Sequence, residues 1–360
     1  MRKLFRRKAS QHFVLIVYPI VSSLGRDNLG GFSHLLANIE VYKNLGFKVI
    51  CLTRSANIIF ENKNGIWFFN VIPGKKNPNI KSPTILPGQS FLKVLTYKAF
   101  IKIRNSLLNL IANTLILFFT PTIVHQRANS RFMLEPKSTG AIYLTEFNDS
   151  FENNLDCDGY LSILERPNIH RPALINPWPV IGNTTQNLDA YKSKIMDFCR
   201  CEHVNVVLYG DGGIVDYLEI QQFVENHKWL RGRPFTLHVY GPNVPDFDNV
   251  EFHPPIEELS CSLNTYDIGL IFYSKKIYGE DRIRQGSPTK FYKYVDAQLP
   301  IFSNREYISK HYLNCADSST DIFNDENILQ SYINNLAAKR NEASIPVYAK
   351  KLYALIASIR

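Results

Sequence analysis

The sequence predicts an α/β protein made of two successive doubly wound units, and three observations carry that prediction. Apolar runs of strand length alternate with amphipathic helical segments. The alternation stops in a proline-rich stretch and then restarts. The chain has 360 residues, the length of two domains at roughly 150 residues each. Apolar residues make up 45% and charged residues 20%, which excludes a collagen-like or largely disordered chain.

The elements follow in order. Phe13 to Tyr18 is an apolar run of strand length, and the Gly-bearing segment Gly25 to Gly31 reads as the loop after it. Phe32 to Leu45 places Leu35, Leu36, Ile39, Val41 and Tyr42 largely on one helical face, and Gly46 stands where a helix C′ glycine belongs. Phe47 to Leu52 is the next strand. Strand, helix and strand joined by short links imply a parallel pair with a right-handed crossover. Ile66 to Ile72 is a further strand, Ser90 to Phe119 a helix stopped by Pro121, and Thr122 to His125 and Ala141 to Thr145 resume the sheet. Pro167, Pro172, Pro177 and Pro179 mark 156–182 as irregular and inter-domain.

The pattern restarts with Val204 to Leu208, a Gly210-Asp-Gly-Gly213 loop and a helix over 215–227. Phe235 to Tyr240 is a strand ending in Gly241-Pro242. Val250 to Phe252 is a short strand, Ile256 to Leu263 a short helix, and Asp267 to Phe272 a strand. A helix from Ser287 through Ala297 leads to the strand Pro300 to Phe302, and helices near 323–338 and 345–358 finish the chain.

Charge is unevenly placed. Residues 1–105 hold 17 basic and three acidic side chains, a net +14, against −5 for the remainder. This asymmetry points to an anionic partner for the N-terminal third. Aromatic residues are not interleaved with the lysines and no nucleic-acid motif is present, so the basic tail and the 90–119 helix fit an anionic membrane surface and not nucleic acid. Residues 1–18 resemble a signal peptide superficially, but Pro19 interrupts the apolar run and no small-residue cleavage site follows. The apolar stretch Leu107 to Phe119 is too short to span a bilayer. The six cysteines are scattered, with only Cys199-Arg-Cys201 close together, so reduced thiols are expected and a structural zinc site is not.

The most informative segment is Gly286-Ser-Pro-Thr-Lys-Phe-Tyr-Lys-Tyr-Val-Asp-Ala-Gln-Leu-Pro-Ile301. Ser287 suits the N-cap, Pro288 the first helical position, and Thr289 and Lys290 the first turn. A helix start of this kind offers free N–H groups and a positive dipole end. With Arg282 and Arg284 just before it, the segment reads either as an anion site or as an ordinary capped helix beside a solvated basic loop. Glu146 and Asp149 follow the strand Ala141 to Thr145, and Asp27 lies in the first loop. A carboxylate at such a strand end can take a proton from a hydroxyl, or can simply cap or be solvated. His125 and Arg127 end the preceding strand region and could line the same cleft, although a strand-end histidine often serves structure alone.

The 286–301 segment resembles the signature of GT-B glycosyltransferases, in which a Ser/Pro and Lys loop opens a helix ending in Y-x-A-x-G-x-P. The Gly30-Gly31 segment with its following helix and Gly46-Phe-Lys-Val49 is similar to the family's opening. The resemblance implies two Rossmann-like domains facing a cleft: an acceptor-binding domain over 1–185, with a C-terminal helix near 345–360 packing back on it, and a donor-binding domain over 186–344. It implies transfer of a sugar from a nucleotide-activated donor, UDP-sugar slightly favoured, to a hydroxyl of a growing glycan or lipid-linked saccharide, without a cofactor or metal. The scattered cysteines and the basic N-terminal third add the expectation of a cytoplasmic protein, peripheral on the inner face of the membrane. Donor contacts are then expected from Ser287, Pro288, Thr289, Lys290, Arg282, Arg284, Gly241, Gly210, Gly30 and Gly31. Acceptor contacts are expected from His125 and Arg127, and the base from Asp149, Glu146 or Asp27. The acidic pair of the retaining family 4 type is absent, with Lys293 and Gln285 in its places, and Gln298 replaces the glycine of the helix end. A GT-B nucleotide-sugar epimerase and an inactive GT-B binding module are the alternatives.

Overall fold

The computed structural model describes residues 12–22, 29–55, 59–73, 91–127, 134, 140–147, 157–162, 170–175, 179, 188–209, 217–226, 230, 232–240, 249–253, 263–272, 289–304 and 326–360. The chain divides into two units, residues 1–176 with 348–360, and residues 177–347.

In the first unit, β1 (Phe13–Ser22), β2 (Lys48–Ser55), β3 (Ile59–Lys63), β4 (Ile66–Pro73), β5 (Ile123–Arg127), β6 (Ile142–Glu146), β7 (Gly159–Ser162) and β8 (Ala173–Ile175) form one sheet. Its order is β3-β4-β2-β1-β5-β6-β7-β8. Every neighbouring pair is parallel except the β3–β4 hairpin. Asn64 and Gly65 turn that hairpin with φ of 52° and 78°, the two left-handed conformations of a type I′ turn. The proline-rich 156–182 segment therefore carries two short strands, β7 and β8, that its composition did not announce.

Helix α1 (Leu29–Asn44) starts earlier than its apolar stripe, so Gly30 and Gly31 stand in its first turn and not in a loop. First-turn N–H groups have no intrahelical acceptor in any case, so glycine is tolerated there. Gly46, at φ 83°, closes α1. Its N–H donates to Lys43 O at 2.8 Å and that of Phe47 to Tyr42 O at 3.0 Å, the paired bonds of a Schellman end. Helix α2 (Phe91–Phe119) buries Leu108, Ala112, Leu115 and Ile116 against Leu15, Val17, Ile50, Leu52 and Val124. Its other side exposes Ile103, Leu107, Leu110, Leu117 and Phe118. No helix among the described residues is long and apolar enough to cross a membrane.

In the second unit, α3 (Leu188–Arg200), which the sequence reading missed, precedes β9 (Val204–Tyr209), α4 (Tyr217–Glu225), β10 (Phe235–Tyr240), β11 (Val250–His253), β12 (Ile268–Ile271), α5 (Thr289–Asp296), β13 (Ile301–Ser303) and α6 (Glu326–Glu342). The sheet order is β11-β10-β9-β12-β13, all parallel. The helix expected at 256–263 lies, except for Leu263, outside the described residues. Helix α5 sits close on the sheet because Gly269 has no side chain: a Cβ there would stand 2.5 Å from the Tyr294 ring. The Tyr294 hydroxyl lies 3.0 Å from Val207 O and 3.2 Å from Leu270 O. The last helix, α7 (Ile345–Ile359), belongs from Tyr348 onward to the first unit. It buries Tyr348, Leu352, Leu355 and Ile356 there, and its Ile359 Cδ1 would stand 2.7 Å from a Cβ on Gly159. The described cysteines, Cys51, Cys157, Cys199 and Cys201, are free thiols.

Candidate active site

In an open parallel sheet, ligands bind outside the carboxyl ends of the strands where the strand order reverses. In the first unit that reversal is at β1, whose neighbours are β2 and β5. Ile16 and Val17 of β1 lie opposite His125 and Gln126 of β5, and His125 and Arg127 lie opposite Leu144 and Glu146 of β6. The topology thus brings Tyr18, His125, Arg127 and Glu146 to the reversal point from three strands. Helix α1 adds His34, Asn38 and Tyr42, which are four residues apart and share one face.

These side chains close around the Glu146 carboxylate. Tyr18 donates its hydroxyl proton to Glu146 Oε2. Asn38 Nδ2 donates to the same oxygen at 3.1 Å and to Tyr18 Oη at 2.8 Å. His125 Nε2 stands 3.3 Å from Oε2, while His34 Nδ1 and Arg127 Nε each stand 3.6 Å from Oε1. The His125 contact is an electrostatic one, because its geometry does not make a hydrogen bond. Tyr42 Oη is 3.2 Å from His125 Nδ1 and so sets the ring from behind. The Arg127 guanidinium lies over the Tyr18 ring, 5.5 Å from its centroid.

Glu146 and His125 are fully buried, and within the cluster only His34 and Arg127, at 6% each, reach solvent at all. Burial by itself would raise the Glu146 carboxyl, but His34, His125 and Arg127 outweigh it and hold the group well below the usual carboxylate range. Burial pushes the Tyr18 hydroxyl far up, with Glu146 adding to that and Arg127 opposing. Tyr42 and Tyr348 are pushed up in the same way, by burial first and then by Glu146. The tyrosines are therefore donors at neutral pH and Glu146 is an anion. Among the described residues, Glu146 Oε1, Arg127 Nη1 and Asn38 Oδ1 make no hydrogen bond. The cluster thus retains an acceptor, a cationic donor and an amide oxygen for a polar ligand.

Of the residues singled out from the sequence, the structure brings Glu146, His125 and Arg127 together. Glu146 is the last residue of a strand and is enclosed, neither on a loop nor solvated. Asp27, Asp149, Gly210, Gly241, Arg282, Arg284, Ser287 and Pro288 lie outside the described residues. Thr289 and Lys290 open α5, and Lys290 is buried at 7% exposure. Lys293, which stands where the retaining type has a glutamate, is partly buried. Burial draws its ammonium down while Asp296 opposes the shift, and Asp296 itself is paired with Arg340 at 3.2 Å. His34, Asn38 and Tyr18 were missed. The signal available for the first two was polar residues four apart on the face of α1 that also carries buried Tyr42.

No protein-family model and no curated protein matches this chain. Solved structures do match along nearly its whole length. A UDP-forming α,α-trehalose-phosphate synthase from Burkholderia xenovorans, in complex with glucose-6-phosphate, aligns at 9% identity over 96% of this chain and 100% of that one, with a TM-score of 0.56. Sucrose-phosphate synthase from Thermosynechococcus elongatus aligns at 10% identity over 97% and 99%, with a TM-score of 0.53. The glycosyltransferase SnogD from Streptomyces nogalater aligns at 12% identity over 96% and 100%, with a TM-score of 0.52. The chain has the GT-B fold. At these identities the likeness is one of fold alone.

Proposed function

We propose that this GT-B protein is a glycosyltransferase that moves a sugar from a nucleotide-activated donor to a hydroxyl of a glycan or lipid-linked acceptor. The observation that carries this reading is the ionised, buried Glu146 beneath His34 and Arg127 at the strand reversal of the first unit. Transfer to a hydroxyl requires removal of its proton as the new glycosidic bond forms. A carboxylate held this far below its usual range is a weak base, so Glu146 is better suited to orient and stabilise an imidazolium than to accept the proton itself. His34, which has Glu146 beside it and some exposure, is the better proton acceptor in its neutral form, and once protonated it pairs with Glu146. Arg127 supplies a cationic donor for the acceptor's hydroxyls. Lys290, in the first turn of α5, would offset donor phosphate charge together with the free N–H groups of that helix start.

The test is donor-dependent release of nucleoside diphosphate over a panel of nucleotide sugars and acceptors. His34→Ala should lower turnover by about 10²–10⁴ with donor binding retained. Asp27→Ala and Asp149→Ala, tested beside it, carry the competing assignment of the base. Near-normal turnover in His34→Ala with loss in either aspartate variant would transfer the role to that aspartate. Nucleoside diphosphate binding without release for any donor would leave a binding module.

The same reading includes peripheral attachment to an anionic membrane. It is supported by the +14 charge of residues 1–105 and by the exposed apolar stripe Ile103, Leu107, Leu110, Leu117 and Phe118 on α2. At 100° per residue these five positions fall within an arc of about 100°, on one side of the helix. Phe60 and Trp67, exposed and stacked with centroids 4.9 Å apart, add apolar surface on the β3–β4 hairpin.

A further inference from the structure

A second cluster lies in the other unit, on neighbouring strands β10 and β11, apart from the Glu146 site. The register places Glu251 opposite His238 and His253 opposite Tyr240. Side chains two apart on a strand share a face, so His238, Tyr240, Glu251 and His253 all stand on one face of the pair. His238 Nδ1 is 3.0 Å from His253 Nε2. Glu251 Oε2 is 3.4 Å from His238 Nδ1 and 3.9 Å from His253 Nε2. We infer that these three groups form a site for a zinc-type divalent cation, with His238 Nδ1, His253 Nε2 and a Glu251 carboxylate oxygen as ligands and water in the fourth position.

The donor triangle has the right size. Ligand bonds of about 2.0–2.1 Å in tetrahedral geometry put neighbouring donor atoms about 3.3 Å apart, and the three separations bracket that value. The chemistry of the set agrees, since two imidazoles and one carboxylate suit zinc and disfavour magnesium or calcium, which take oxygen ligands.

The surroundings prepare the ligands. His238 Nε2 is 3.2 Å from Asn205 Oδ1. The other end of that amide is fixed, because Asn205 Nδ2 donates to Asp267 Oδ2 at 3.2 Å and the Asn205 backbone N–H donates to the same oxygen at 2.7 Å. The oxygen of Asn205 must therefore face His238, which puts the imidazole proton on Nε2 and leaves the Nδ1 lone pair directed at His253 and Glu251. An outer partner that sets the tautomer of a metal-bound imidazole is the usual companion of such a site. The ring of Tyr240 stacks on His253 at 4.8 Å, and that of Tyr266 packs on His238 at 4.9 Å. The sequence reading looked for cysteine spacings. A His-x-Tyr on one strand and a Glu-x-His on the next become a ligand set only through the parallel register.

The experiment uses the full chain, stripped with a chelator, dialysed, and titrated with Zn²⁺ against a competing chromophoric chelator. One equivalent should bind and raise the unfolding temperature, while Mg²⁺ at the same concentration should do neither. Glu251→Gln and His253→Asn change accessible side chains and should leave the apo fold intact. Each should weaken Zn²⁺ at least tenfold, and Asn205→Ala, acting through His238, should weaken it about 10–100-fold. His203→Ala and the Cys199→Ser/Cys201→Ser pair, potential ligands outside the triad, should bind as the parent does. The proposal is overturned if no equivalent binds, if Glu251→Gln and His253→Asn both keep parental affinity, or if the cysteine pair removes binding.

Discussion

Neutralising Glu146 should cost the first unit a large part of its stability. Glu146→Gln keeps the shape and an acceptor for the Tyr18 hydroxyl, so the variant removes mainly charge. The Arg127 Nε to Glu146 Oε1 distance is 3.6 Å, and at an effective dielectric of about 20 the Coulomb attraction there is roughly 4–5 kcal/mol. Arg127 is only 6% exposed and cannot turn to water for compensation. Breaking one side of a buried pair costs about 3–5 kcal/mol for that reason. With two units in the chain, a single unfolding free energy is ill defined, so hydrogen exchange of peptides covering α1, β5 and β6 is the suitable assay. Their exchange should accelerate roughly 10²–10⁴-fold in Glu146→Gln. Arg127→Met with Glu146→Gln should recover part of that loss, because no uncompensated charge remains. The parent should also weaken in acid. Its Glu146 carboxyl is depressed in the fold, so the unfolded chain takes up that proton first. The stabilisation is complete above the unfolded value of about 4.3 and declines as pH falls below it. Glu146→Gln should lack that part of the acid slope. Exchange within tenfold of the parent and an unchanged acid profile would refute the ion-pair account.

Lys290→Ala should weaken nucleoside diphosphate binding by about 10–150-fold, the worth of a charge-assisted hydrogen bond. Exposed Lys192 is the control, since Lys293 is partly buried beside Asp296, and equal effects at Lys290 and Lys192 would dismiss the site. Gln298→Gly should stabilise the second unit by about 0.5–1 kcal/mol by relieving a left-handed residue at φ 57°, read from urea unfolding, and a loss of stability would refute it. Flotation with anionic vesicles should recover the parent, and Leu110→Asp with Leu117→Asp should abolish it, each buried leucine being worth about 1.5–3 kcal/mol. Unchanged flotation of that variant, or of the parent in high salt, would remove the electrostatic and apolar account.

The fold was legible where local chemistry and tertiary structure agree. Phe235–Tyr240 alternates around a buried stripe and is the strand the pattern predicts. Gly46 was legible at the end of α1 because a C′ residue with φ 83° has a strong preference for glycine. The same two Schellman bonds end α5, from Gln298 to Val295 O at 3.1 Å and from Leu299 to Tyr294 O at 2.9 Å. There the helix end was placed at Ala297 ahead of Pro300, without a glycine signal, because a glutamine occupies the C′ position. Asn64-Gly65 did carry the hairpin signal, but β3 before it holds Glu61, Asn62 and Lys63 and does not read as a strand. Strands β7 and β8 are four and three residues long among prolines, too short for a period to show. The site was legible only in part. Glu146 and Arg127 stand at strand ends, which sequence can locate, whereas His125, expected to end its strand, lies in the middle of β5. Tyr18 lies 128 residues from the carboxylate it bonds, and only the sheet order brings the two together.

That order also explains why the charge is placed where it is. A carboxylate inside a protein is costly unless donors and cations surround it, and a sheet interior supplies few of either. At the reversal beside β1 the crossovers leave in opposite directions, so side chains from β1, β5, β6 and α1 converge on one point. Glu146 can be held there as an anion because Tyr18, Asn38, His34, His125 and Arg127 reach it at once. The same convergence that makes burial tolerable depresses its proton affinity, and a group so depressed cannot serve well as a base near neutral pH. Its electrostatic influence is undiminished, however, and the two cluster members with any exposure, His34 and Arg127, both border it. On the proposed transferase reading, the burial of Glu146 supports an electrostatic role behind His34, and His34→Ala should lower turnover far more than it lowers donor binding.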